Sequence, residues 1–167
     1  VRGGRSVDTS MGLTPLEGIV MGTRSGDIDP SIPWFLAKKG MTPDEINNVL
    51  NKKSGLLGIS GVSNDMRNLL EAANGGNAQA RLAVDIFCYR IRKYVGSYLA
   101  VLGHTDAVVF TGGIGENNAF IRHSVLDGLG ELGICIDDAK NSAKSRDARD
   151  VSSAASKVKV LVIPTDE

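Results

Sequence analysis

The stretch Val108–Phe120, VVFTGGIGENNAF, decides how the rest of the chain is read. A β-branched run leads into Gly112, Gly113 and Gly115, and Glu116 and Asn117 precede what reads as a helix. Backbone without side chains can approach a ligand closely. N–H groups at a strand-to-helix junction can then face phosphate or sugar oxygens. The stretch is therefore a candidate nucleotide-binding loop. The alternative is a tight turn in which glycine serves only its φ angle, and the residues alone leave both open. Two nucleotide motifs are excluded. A Walker loop needs Gly-Lys-Ser/Thr, and no lysine follows these glycines; a dinucleotide fingerprint needs a glycine where Asn118 stands.

Working outward, 167 residues are enough for one domain with a real core. Lysine plus arginine (19) balance aspartate plus glutamate (19), so there is no basic excess of the kind a nucleic-acid footprint needs. No apolar run reaches bilayer length and no signal peptide is read at the start, so the expectation is a cytoplasmic protein without a membrane partner. Cys88 and Cys135 are isolated and read as reduced, packed side chains rather than metal ligands. Both ends read as cut. VRGGRSVDTS reads as strand, Gly3-Gly4 turn and strand, a start one strand into a hairpin, and KVKVLVIPTDE is a strand whose Thr165 and Asp166 look like the start of a helix with no helix behind them.

Along the chain, Val1 to Asp8 predicts a hairpin, and the glycine-rich segment after it a loop with a strand over Ile19 to Met21. Ser31 to Lys39 reads as a short helix. In MTPDEINNVLNKKSG, Thr42 is an N-cap, Pro43 the first helical residue and Glu45 the capping-box partner, with Gly55 as the stop. Asn64 to Ala73 and Asn77 to Leu102 predict two further helices. Strands are expected at Asp106 to Thr111, Ile134 to Asp137 and Val158 to Ile163, a helix at Asn117 to Gly130, and a polar helix-loop at Lys140 to Ser156. A leading antiparallel meander followed by alternating helices and strands gives an α/β fold, a mixed sheet flanked by helices. This order is that of the ribonuclease-H-like half of the actin/hexokinase-type fold, with the glycine loop at a strand's C-terminal end, where ligands of such sheets gather.

Chemistry-bearing residues stand in other segments. Arg24 sits among small residues in MGTRSGD, free to grip a phosphoryl group or carboxylate, or else to pair with Asp27 or Asp29. Asp65 and Arg67 open a short helix, where an acid is also a routine partner of the helix dipole. His104 and His123 are far apart and carry little signal. Glu167 lies just past a strand, a natural place for a magnesium ligand or for a frayed terminal acid.

In order, VDTSMGLTPLEGIVMGTRSGDIDP, SGLLGISGVSNDMR, DAVVFTGGIGEN and VLVIPTDE closely resemble the acetate kinase family over nearly the whole chain, the segment Lys140 to Lys157 carrying least of it. The resemblance implies reversible transfer of the γ-phosphoryl of ATP to acetate, giving acetyl phosphate and ADP, with Mg2+, in a homodimer. It implies that Arg24 binds and stabilises the transferring phosphoryl group. Asp65, Met66 and Arg67 would contact the nucleotide, and Gly113, Ile114, Gly115, Glu116 and Asn117 would hold its adenosine side. Glu167 would be the magnesium-associated glutamate. It further implies that the chain is one C-terminal nucleotide-binding and dimerisation domain. The family's N-terminal half, with its catalytic aspartate, its substrate-contacting arginine and its transition-state histidine, is not in this sequence. The chain alone is therefore expected to be inactive. Propionate kinase shares the same motifs, and a non-catalytic nucleotide-binding or dimerisation module is the other alternative.

Overall fold

A computed structural model describes residues 1–166, and they fall into two compact units divided inside the longest helix, after Tyr94. The first unit is helical. α1 (Ser31–Lys38), α2 (Pro43–Lys52), α3 (Gly55–Ser60), α4 (Met66–Asn74) and the start of α5 (Ala78–Leu102) follow a long irregular entry. Its buried apolar residues come from the entry segment and from every helix but α1: Val20, Ile46 and Leu50, Leu56, Met66 and Leu69, then Ala80, Ala83, Val84, Phe87 and Cys88. The Thr42 capping box forms as expected. Glu45 N donates to Thr42 Oγ1 and Thr42 N donates to the Glu45 carboxylate, so two otherwise orphaned helix-start amides are satisfied. Asp65 caps α4 in the same way, accepting from Arg67 N at 2.8 Å.

Three expectations for this unit are corrected. The hairpin reduces to one bridge, Arg2 with Arg5, around Gly3 and Gly4 at φ 56° and 77°. Its residues are exposed, and a two-strand ribbon with nothing packed on it is marginal in water. Ile19 to Met21 forms no strand. Met21 N donates to Arg24 O and Met21 O accepts from Leu56 N, so local turns and a helix start take the groups a ladder would use. Gly55 does not merely stop α2, which ends at Lys52; it is the first residue of α3. It lies at φ +63°, and a Cβ there would come within 2.2 Å of Met21 O and 2.6 Å of Arg24 O.

The second unit carries the sheet. β1 (Ala107–Phe110), β2 (Arg149–Asp150) and β3 (Lys159–Val162) are ordered β1-β3-β2, with β3 parallel to β1 and antiparallel to β2. The register pairs Val108 with Val160 and Phe110 with Val162. α6 (Gly112–Asn117), α7 (Ala119–Leu126), a short 3-10 turn (Gly130–Leu132) and α8 (Asp138–Ser142) lie between β1 and β2 in the chain. Ile121, Val125, Leu126, Ile134, Val151, Val160 and Val162 are among its buried apolar residues. The leading antiparallel meander expected from the sequence is absent among the described residues, and the mixed sheet is the three-stranded one. The strand expected at Ile134–Asp137 is a single bridge, Ile136 with Ser152. The helix expected from Asn117 to Gly130 is broken at Asn118. Asn118 leaves helical geometry (φ −123°, ψ 96°), and its side chain accepts from Ile121 N to cap α7.

Candidate functional site

Arg24 is placed by a turn tied down at many points. Ser54 N donates to Thr23 O, Leu56 N to Met21 O and Leu57 N to Gly22 O, at 2.9–3.0 Å, so the first amides of α3 are spent on this turn. From the α2 side, Thr23 Oγ1 donates to Asn51 O and Ser25 N to Leu50 O. Gly55 permits the close approach that these bonds require. Gly22 in turn lies tight against the segment before α4, where a Cβ would come within 3.0 Å of Asn64 O. The structure therefore brings the Arg24 turn beside the Asp65–Arg67 segment within one unit.

The charges in this region are unequally engaged. Asp27 is fully used: Arg90 Nη2 donates to it at 2.6 Å, Tyr94 OH at 2.7 Å and Gly18 N at 2.8 Å. Asp29 accepts from Ser31 N. Neither carboxylate takes Arg24, so the structural pairing that competed with the anion grip is not made. The one bond of the Arg24 guanidinium among the described residues is to Met21 Sδ at 3.9 Å, a weak acceptor. A half-buried guanidinium without an anion is a cation ready for one. Asp65 and Arg67 hold each other instead. Arg67 Nη2 and Nε donate to the two carboxylate oxygens at 2.6 and 3.1 Å, and this fork lowers the Asp65 pKa from 3.8 to about 2. Met66, between them, is buried, so its side chain belongs to the core and only its backbone is available to a ligand.

In the second unit the glycine segment is not an open loop. Gly112, at φ +72°, turns the chain out of β1 and opens the six-residue α6, which runs on through Gly113 to Asn117. Its geometry is set by Glu116. The carboxylate accepts from Gly112 N at 2.8 Å and from Thr165 N at 2.9 Å, with Thr165 Oγ1 also donating. These bonds, the Thr165 amide first, pull the Glu116 pKa below its ordinary value. Glu116 thus ties the segment to the chain after β3 and faces its own fold. Asn117 Nδ2 donates to Gly113 O, and Ile114 is half-buried. Gly113 is exposed, with helical backbone and nothing within 4 Å of a built Cβ. A Cβ on Gly115 would make only ordinary contact with Phe110, at 3.5 Å. The fold itself therefore has room for side chains at both positions.

Glu167 lies outside the described residues. Among those described, no three acidic, histidine or cysteine side chains gather as a metal cage. The donors present do not by themselves fit a protein-bound magnesium. His104 pairs with Asp106 and His123 with Asp138, both at the surface. Two functional features were not read from the sequence: the inward role of Glu116, and the buried arginine Arg122. The available signal for the latter was an arginine on the apolar stripe of α7, next to Ile121 and four residues before Leu126.

The chain is thus a mixed α/β protein in which Arg24, on a braced turn, meets no carboxylate among the described residues, and a glycine-rich segment follows a parallel strand. Comparison with known proteins sharpens this. The profile of the acetokinase family matches residues 1–167. The acetate kinase of Brachyspira hyodysenteriae is 60% identical over all of this chain and 42% of its own length, and that of Methanosarcina thermophila 56% identical over 41% of its length. Among solved structures, Porphyromonas gingivalis acetate kinase superposes with a TM-score of 0.90 at 46% identity, covering 94% of this chain and 40% of that one. A propionate kinase from Francisella tularensis superposes at 0.91 and 49% identity, covering 98% of this chain and 41% of that one. This chain belongs to the acetokinase family. It spans about two fifths of the length of the curated relatives it matches.

Proposed function

We propose that the chain is the nucleotide-binding and dimer-forming domain of an acetate kinase, working in the cytoplasm as a homodimer. In that reaction an acetate oxygen attacks the γ-phosphorus of ATP, the bond to the β,γ-bridging oxygen breaks, and acetyl phosphate and ADP are released; the reverse direction runs through the same site. Arg24 neutralises the transferring phosphoryl group. The Asp65–Arg67 segment meets the nucleotide through the Met66 backbone and the exposed Arg67 fork. Gly113 to Asn117 form the face on which the adenosine lies, with Glu116 holding that face in shape. Glu167 would hold the Mg2+ that accompanies the nucleotide, and that ion would supply neutralisation of phosphate charge.

Gly113 carries this reading. A glycine in a helical, uncrowded position costs stability relative to alanine, so the fold gains nothing from the missing side chain. The bare backbone makes sense for an occupant from outside. Phosphoryl transfer also needs positioning and charge neutralisation from both sides of the reacting group. Of the residues assigned above, Arg24 alone is given to the transferring phosphoryl group, which is one side of it, and the chain alone is therefore expected to form no acetyl phosphate.

The test is a chimaera in which this chain replaces the matching 42% of the Brachyspira hyodysenteriae enzyme. It is expected to make acetyl phosphate from ATP and acetate, while the 167-residue chain alone makes none. A folded, inactive chimaera, or an active isolated chain, contradicts the reading. The propionate kinase likeness favours a second substrate, so acetate and propionate belong side by side in that assay.

A further inference from the structure

Among the described residues Arg122 is the largest fully buried side chain, with 1% of its surface exposed. Burying a guanidinium is costly unless its charge and donors are met. Among the described residues it has no carboxylate partner. It is met by carbonyl and amide oxygens instead. Nη1 donates to Gly115 O at 2.8 Å and to Glu116 O at 2.9 Å, Nη2 to Asn141 O at 2.7 Å, and Nε to Asn141 Oδ1 at 2.7 Å. Asn141 is itself buried, and its Nδ2 donates to Ala119 O.

The acceptors share an origin. Gly115 O and Glu116 O are carbonyls of the last turn of α6, and Asn141 O is one of the last turn of α8. Carbonyls there have no partner inside their own helix and carry the negative end of the peptide dipoles. One cation from α7 therefore closes two helix ends, and one of those ends is the segment assigned above to the nucleotide. Arg149 adds only a long contact to Glu116 O, at 3.4 Å. Glu116 fixes the start of α6 through Gly112 N, and Arg122 fixes its end.

We propose that Arg122, held by Asn141, is a positioning residue that sets the geometry of the Gly113–Asn117 face and so its affinity for the adenosine side of a nucleotide. This rests on the reading of that segment given above. Without the guanidinium, Gly115 O loses the Arg122 bond and Glu116 O keeps only the long Arg149 contact, and the binding-ready geometry becomes one state among several. Apparent affinity falls in proportion to the fraction of chains that retain it.

Residue-resolved amide exchange of the nucleotide-free chain tests the first half, in the parent, Arg122→Met and Arg122→Lys. The reporters are Gly112 N, bonded to Glu116, and Asn118 N, bonded to Ile114 O. Both are expected to exchange about tenfold faster or more in Arg122→Met, with Arg122→Lys in between. Val151 N, bonded to Val160 O in the sheet, is expected to keep its rate. Unchanged reporters, or equal acceleration at Val151, overturn the proposal. Calorimetric titration with Mg·ADP tests the second half. The expected result is a Kd weakened about tenfold with stoichiometry unchanged, because the states interconvert; a merely structural role leaves part of the chains permanently unfolded, lowers the stoichiometry at constant Kd, and overturns the proposal. If Arg122→Met does not fold, Arg122→Lys, which keeps the charge and loses part of the fork, decides by the same two readouts. A parent that binds no Mg·ADP refutes the nucleotide reading of the segment, while the exchange data still decide whether Arg122 shapes it.

Discussion

Replacing Gly113 by alanine separates what the fold needs from what a ligand needs. The position is exposed, helical in backbone, and surrounded by no heavy atom within 4 Å of the new Cβ. Its carbonyl bond to Asn117 Nδ2 does not involve a side chain of its own and persists. Alanine is favoured over glycine by roughly 0.5–1 kcal/mol inside a helix, and the lower figure applies to the second residue of α6. For a chain of this size that is a rise of about 1–2 °C in Tm. The same methyl group stands where a nucleotide would rest on bare backbone, and displacing the ligand there is expected to weaken Mg·ADP binding at least about tenfold, or ~1.4 kcal/mol. Gly96 is the control. It lies within α5, also with nothing within 4 Å of a built Cβ, and Gly96→Ala is expected to raise Tm without touching affinity. Differential scanning calorimetry and titration calorimetry on the two variants read both quantities. A destabilised Gly113→Ala would show that the fold requires this glycine, and a stable variant with full affinity would show that no ligand does. Either result refutes the reasoning.

Other consequences can be checked with the same protein and the chimaera. Arg24→Ala in the chimaera is expected to lower kcat by about 10²–10³, as removal of a donor to developing charge does elsewhere, with little change in nucleotide KM; a loss confined to KM would move Arg24 away from the reacting group. Gly55→Ala forces a Cβ to within 2.2 Å of Met21 O at a φ of +63°, and is expected to cost at least about 2 kcal/mol, seen as a lower denaturation midpoint. Asp65 should titrate near pH 2 by carbon NMR of its carboxyl group, moving back toward 3.8 in Arg67→Ala. Because its folded pKa is depressed, the stabilisation it lends α4 is complete above its ordinary 3.8 and is lost as pH falls from there through about 2.

What could be read from the sequence was local. The Thr42-Pro43-Glu45 start of α2 is decided by groups within three residues of each other and formed as expected, and Asp65, read as an acid at the start of a helix, is its N-cap. The apolar run before Gly112 formed β1 because its period and length leave few other choices. The failures needed partners distant in the chain. A hairpin at Val1–Asp8 is a sound local expectation that lacks a surface to pack on. The glycine segment was read as a loop, and it is a short helix because Glu116 bonds its first amide and Thr165, 49 residues away, while Arg122 closes its end. Arg24 is the instructive intermediate. Its neighbours offered Asp27 and Asp29 as partners, and only the structure shows Asp27 engaged by Arg90 and Tyr94, 63 and 67 residues further on.

The most direct test of the central claim is titration of the 167-residue chain with Mg·ADP, beside a Gly113→Val variant shown to be folded. The expected result is saturable binding at one site per chain that the variant loses. A folded parent that releases no heat, or a variant that binds as the parent does, would contradict the assignment of this chain as the nucleotide-binding domain of the kinase.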